Sequence, residues 1–335
     1  MPEGAEIVDR NGDVVEMRVS IPGDEHGFFG RQCPGCAQMF RVNMEDYEAL
    51  PEEIELWCVY CGHHCDHSDF MTQQQKDRAL RAVADLGVQM VGHVVEDVFG
   101  GRSRTRSRSR GSGFGVEIRF RSTPFYPQPL PGLDEEKLVR ERKCADCALR
   151  YAVFGEHRFC PVCGPLASAV VSTDALGAET ARLDGLAQLP AEVRADLREK
   201  GVFTRIWVDT LENLVGIVET LAGAVFRAAV ADAPARLNGK GNIFQRLDDT
   251  ADLFVAAGYA DLRTVLDAPT WQRLTESWAA RHVFTHNDGV VDARYLTKVP
   301  GSTARLGQRL TITEASCRQA ILDAGALCHA VAALT

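Results

Sequence analysis

"RHVFTHNDGVVD" occupies residues 281–292 and closes a helical pattern. Just upstream, "TWQRLTESWAARHVFT" (270–285) sets Trp271, Leu274, Trp278 and His282 on one stripe of a helix. Asn287 and Gly289 read as helix-stop residues. The stretch therefore ends an amphipathic helix and marks its surroundings as all-α. It also carries a permanent cation, Arg281, and a titratable imidazole, His286, a pairing suited to a phosphate. On an ideal helix five positions turn about 500°, so the two side chains point about 140° apart with about 7.5 Å of rise. One straight helix is not expected to aim both at a small ligand. Either the helix distorts before His286, or a second copy of the chain completes the site.

Working outward, the pattern is helical from about residue 174 onward. Breaks fall near Pro190, Gly201, "LNGKGN" (237–242), Gly258, "DAPT" (267–270) and "VPGST" (299–303). An all-α region of roughly five helices is expected over 202–335, with a helical linker over 168–201. At the other end, "EIVDRNGDVVEMRVSIP" (6–22) alternates around Asn11-Gly12 and predicts a hairpin. "MTQQQKDRALRAVADLGVQMVGHVVEDVF" (71–99) has helical spacing at Leu80, Val83, Leu86, Val91, Val94 and Val98. An Arg/Ser/Gly-rich loop over 100–115 comes next. "FGVEIRF" (114–120) reads as a strand, and "PFYPQPLPGL" (124–133) as a proline-rich connection. The expected fold class is multidomain α+β. A hairpin with one cysteine cluster fills 1–70, and a strand with a second cluster fills 116–167.

The chain has eleven cysteines, eight of them in four C-x-x-C pairs. The first set is Cys33, Cys36, Cys58 and Cys61; the second is Cys144, Cys147, Cys160 and Cys163. Zinc takes four ligands in a tetrahedron, and two short knuckles supply two thiolates each. The glycine after "CVYC" and "CPVC" permits the tight turn of a knuckle. Both sets resemble zinc ribbons, so two structural Zn²⁺ ions are expected. His63, His64, Cys65 and His67 in "CGHHCDH" stand beside the first set, where any could replace a thiolate or add a second metal. The ribbons lie far apart in sequence, so the loss of one metal is expected to loosen only its own half.

Apolar content of 45% and charged content of 25% are ordinary for a soluble globular protein. The acidic start "MPEGAEIVDR" has no apolar run, so no signal peptide is expected and a cytoplasmic location follows. The most apolar stretch, "NLVGIVETLAGAVFRAAVA" (213–231), carries Glu219 and Arg227, which fits a buried helix better than a membrane span. A net charge of −9 argues against a nucleic-acid partner for the chain as a whole. Residues 101–165 invert that balance, with 13 basic and 7 acidic side chains. Arg102, Arg104, Arg106, Arg108 and Arg110 alternate there with small polar residues, which suits RNA-backbone contact or equally a solvated linker.

"R-H-V-F-T-H" matches the R-x4-6-H motif of HEPN domains, with a polar residue directly after the arginine. The trailing "NDGVVDARYL" resembles the residues that trail the motif in several prokaryotic HEPN groups, and "LENLVGIVETLAGAVFRAAV" (211–230) is similar to the family's long first helix. The resemblance covers roughly the last 130 residues. It implies a metal-independent endoribonuclease acting as a homodimer, with Arg281, His286, His282 and Asn287 as site residues and RNA as substrate. Ribbons ahead of a helical effector are similar in plan to toxin–antitoxin and phage-defence proteins, which implies an antitoxin or regulator as partner. The alternative is a non-catalytic nucleic-acid- or nucleotide-binding regulatory protein.

Overall fold

A computed structural model of the chain describes residues 5–11, 14–51, 53–95 and 140–334. The five arginines of the expected RNA-contact loop, the "FGVEIRF" strand and the proline-rich connection lie outside the described residues. In order, the elements are β1 (Ala5–Asn11), β2 (Val14–Val19), β3 (Phe28–Gln32), β4 (Met39–Asn43), α1 (Met44–Glu48), β5 (Glu55–Trp57), β6 (His64–Asp66), α2 (Gln73–Val95), β7 (Arg140–Lys143), β8 (Arg150–Val153), β9 (Phe159–Cys160) and β10 (Gly164–Pro165). Helices complete the order: α3 (Ser168–Ala187), α4 (Ala191–Glu199), α5 (Val202–Ala229), α6 (Ala233–Leu237), α7 (Leu247–Ala256), α8 (Leu262–Val265), α9 (Ala268–Asn287), α10 (Ala293–Lys298) and α11 (Glu314–Ala332). The chain is α+β and multidomain, a small β-rich region followed by a helical one. Its residues form two compact units, Met1–Phe154 with Phe159–Gly164, and Gly155–Arg158 with Pro165–Thr335.

In the first unit β1 and β2 pair antiparallel, as the Asn11-Gly12 turn signal implies. The two cysteine sets do not form independent ribbons. "RQCPGCAQMFRV" (31–42) and "RKCADCALRYAV" (142–153) repeat one pattern, an arginine, a C-x-x-C-A knuckle, an aromatic and a valine. Their hairpins join into one four-stranded sheet, ordered β3-β4-β8-β7. At the central ladder Arg41 faces Ala152 and Val42 faces Tyr151. Ala152 is the repeat equivalent of Arg41, and Tyr151 that of Phe40, so the strands pair about a local two-fold axis at Arg41–Ala152.

The second knuckles obey the same symmetry. Trp57 and Phe159 each directly precede the third cysteine of their set. Trp57 N–H donates to Pro161 O (2.8 Å), and Phe159 N–H donates to Val59 O (3.1 Å). Their rings stack 5.9 Å apart. Each ring covers the other knuckle's glycine: a Cβ on Gly62 would run into the Phe159 ring, and one on Gly164 would lie 3.0 Å from Trp57. Both glycines have positive φ, 73° and 79°. Separation in sequence thus does not make the ribbons independent, because backbone pairing and aromatic stacking fuse them.

Within 71–99 the described residues form α2, Gln73–Val95, while Val98 lies outside the described residues; Leu80 and Val83 are exposed. The buried side chains of α2 include Gln75, Arg78, Ala82 and Asp85. Gln75 donates to Gly30 O and Arg78 Nε to Ser20 O, so polar groups on this face satisfy backbone carbonyls.

In the second unit α3, α5, α9 and α11 pack together. Phe203, Leu214 and Phe226 of α5, Leu183 of α3, Leu274 of α9 and Leu327 of α11 share one core. Stretch 213–231, read as a buried helix, lies in α5 and its capping turn. No helix among the described residues is long and apolar enough to cross a membrane.

Candidate functional site

Helix α9 is capped by Asp267, whose side chain accepts from Thr270 N–H (2.7 Å), and stays helical through Asn287. Asp288 then turns left-handed (φ 48°), and Gly289 (φ 76°) comes after it. Gly289 N–H donates to Val283 O. A side chain at Gly289 would meet Phe284 at 2.7 Å, so glycine is required there. The turn is held from outside by Leu310 N–H to Gly289 O and Val291 N–H to Gln308 O.

The chain then returns as α10. Asp292 caps it by accepting from Tyr295 N–H. A satellite core of Ala279, Val283, Val291, Tyr295 and Val299 clamps α10 onto α9. That packing carries Arg294 over α9, where its Nη1 lies 3.2 Å from His282 Nε2. At the other edge, Thr285 donates to Glu212 of α5 (2.7 Å), which pins the C-terminal turn of α9 to the bundle.

Between these elements lies a cleft of about 390 Å³. Arg281, His282 and His286 line it together with Trp278, Arg294 and Lys298. The helix does not distort before His286, and no second copy is needed to bring Arg281 and His286 to one cleft. Trp278, His282 and His286 form a row along α9, each about 40° from the last, and Arg281 lines the cleft with them.

The electrostatics are one-sided. Four permanent cations, Arg246, Arg281, Arg294 and Lys298, line the cleft with a single carboxylate, Asp248. Arg246 pairs with Asp249, and Lys298 lies 3.8 Å from Asp248. Arg281 and Arg294 form no ion pair among the described residues. Arg281 Nε and Trp278 Nε1 are buried with no acceptor among them. Each such N–H costs about 1–3 kcal/mol when unmet. Burial, then Arg294, then His286 hold the His282 pKa below the usual histidine value. Arginine can only donate, so His282 Nε2 accepts and the ring is the neutral Nδ1–H tautomer. His286 is exposed, its ring 4.7 Å from that of His282. Asn287 does not line the cleft. Its amide donates to Val290 O and braces the turn.

The sequence does not single out Arg246, Arg294, Lys298 or Trp278 for this site. Arg294 and Lys298 are spaced i, i+4 just past the helix stop, a signal of two cations on one helix face. Trp278 reads only as part of the core stripe, and Arg246 arrives from a remote segment that carries no local signal.

The cysteine sets form two compact quartets, each with its four Sγ atoms within 4.8 Å of one another. Cys33–Cys61 and Cys36–Cys58 are 3.7 Å apart, Cys147–Cys160 3.7 Å and Cys144–Cys163 3.9 Å. A tetrahedron with metal–sulfur bonds of about 2.3 Å has edges of about 3.8 Å, so the residues fit a metal ion. Gly35 and Cys36 N–H groups point at Cys33 Sγ, and Val162 N–H at Cys160 Sγ. Burial pushes the Cys58 and Cys160 thiols up, so a bound cation is what would keep them as thiolates.

His63, His64, Cys65 and His67 are outside both quartets. His64 stacks on Trp57, His67 bonds Tyr47, and His63 leans toward Phe70. Comparison with family models, curated proteins and solved structures gave no match to this chain.

Proposed function

We propose that the helical unit is a metal-independent endoribonuclease of the HEPN type. The observation that supports this most is the convergence of Arg281, His282, His286 and Arg294 on one cleft, with two of its arginines unpaired by carboxylates. Arg281 and Arg294 would hold a backbone phosphate through charge-assisted hydrogen bonds. His286, exposed at the cleft, would take the proton of the ribose 2′-OH or return one to the leaving 5′-oxygen. The 2′-oxygen then bonds to phosphorus as the P–O5′ bond breaks, leaving a 2′,3′-cyclic phosphate and a 5′-OH. His282, neutral and held by Arg294, would orient its neighbours.

In the same reading both quartets hold Zn²⁺. Four sulfur ligands leave no open position, so the ions would be structural and the ribbons would guide RNA or a protein partner. The resemblance to HEPN domains adds a homodimer through α9 and a role as a toxin or defence effector under an antitoxin or regulator.

The Arg294–His282 bond favours a second reading. With its Nε2 engaged, His282 is poised to bind rather than to exchange protons, as in a nucleotide-binding module. Incubation of the protein with total RNA and defined tRNAs, under brief EDTA, separates the two. Fragments with 2′,3′-cyclic phosphate ends are expected. No cleavage by the wild-type protein under any activating condition would leave the binding module.

A further inference from the structure

We infer that the cleft carries a nucleobase subsite beside its phosphate-holding arginines, formed by Trp278 and Asn242. The inference rests on the reading of the cleft as a phosphate site and names what should lie next to that phosphate.

Trp278 packs its ring against the bundle core, with its indole Nε1–H buried at the cleft and unmet by any acceptor among the described residues. A half-buried tryptophan whose buried N–H is unused offers a donor to something that binds. Asn242 lines the same cleft from the segment before a 3-10 turn at Ile243–Gln245. Its orientation is set by a relay: Asn242 Nδ2 donates to Gln245 Oε1 (3.0 Å), and Gln245 Nε2 donates to Glu219 Oε2 (2.9 Å). With Nδ2 turned toward Gln245, Asn242 Oδ1 is left as an acceptor. The cleft is therefore lined by both an unused donor and an unused acceptor, the two kinds of group that a nucleobase edge presents in turn.

The spacing suits one nucleotide. Along α9 Trp278 precedes His282 by four residues, about 6 Å of rise, and His286 by eight, about 12 Å. A base at Trp278 thus places its own phosphate near Arg281 and His282. The cleft of about 390 Å³ has room for one such unit rather than for a helix of paired RNA. The substrate class this implies is single-stranded RNA with one base turned into the cleft.

The test is calorimetric titration of the full-length protein with the four nucleoside 5′-monophosphates, ribose 5-phosphate and inorganic phosphate. At least one nucleotide should bind about tenfold or more tightly than ribose 5-phosphate. Trp278→Phe keeps an aromatic ring, though a smaller one, and removes the donor. It should shrink that advantage several-fold while leaving ribose 5-phosphate binding unchanged. Asn242→Ala, at an exposed position with no core to disturb, should do the same if the tryptophan variant folds poorly. Ribose 5-phosphate binding as tightly as every nucleotide would overturn the subsite and leave the phosphate site standing. A base-dependent affinity without RNA cleavage would uphold the subsite and remove the ribonuclease reading. An absence of binding by every nucleotide would also overturn it.

Discussion

Arg294 reaches back from α10 to donate from Nη1 to Nε2 of His282, 3.2 Å away. This bond ties α10 back onto α9. It fixes the imidazole's tautomer and sets a cation against it. Burial depresses the His282 pKa first, and Arg294 adds to the effect. Arg294→Ala should therefore move the His282 pKa up toward the ordinary value of about 6.5. An NMR titration of the histidine side chains reads this directly. An unchanged His282 midpoint would mean that the contact carries no electrostatic weight.

The depressed pKa has a consequence for stability. A histidine that is harder to protonate when folded favours the folded state while neutral. The unfolded chain takes the proton first as pH falls below about 6.5, so this stability is present above that value and is lost toward the lower folded pKa. The helical unit should unfold more easily as pH drops through that window. His282→Gln should flatten this part of the profile in chemical denaturation measured pH by pH. An equal slope in the variant would assign the effect to other groups.

The fused ribbons change what a single ligand mutation should do. Elemental analysis should find two zinc ions per chain. Cys33→Ser should release one, and the second quartet should then lose its metal to a chelator faster, because β4 pairs with β8 and Trp57 stacks on Phe159. Gly62→Ala should act on both quartets too, costing about 1–3 kcal/mol through overpacking against Phe159 and its positive φ. An unaltered release rate from the second quartet would show that the two hold their metals independently.

Much of this architecture is legible in the residues. The C-x-x-C spacings mark both quartets, the Asn11-Gly12 turn marks the first hairpin, and the stripe Trp271, Leu274, Trp278 marks α9. The parts that are not legible depend on contacts between distant segments. The ribbon repeat is visible only once Cys33 and Cys144 are aligned, and its antiparallel pairing only in the sheet. The exposed side of α2 inverts expectation because Gln75 and Arg78 are drawn inward by backbone carbonyls. In the cleft, ideal-helix angles set Arg281 and His286 about 140° apart. They say nothing of a cleft wide enough to take both, or of Arg246 and Arg294 arriving from other segments.

On the proposed function this cleft handles a phosphodiester. The most direct measurement is cleavage of a defined tRNA by purified wild-type protein, Arg281→Ala and His286→Ala, with the unfolding midpoint of each recorded alongside. His286→Ala removes an exposed side chain, so its fold should be intact. Cleavage by the wild type and a loss of about 100-fold or more in each variant are expected. Full cleavage surviving in both variants would contradict the proposed function.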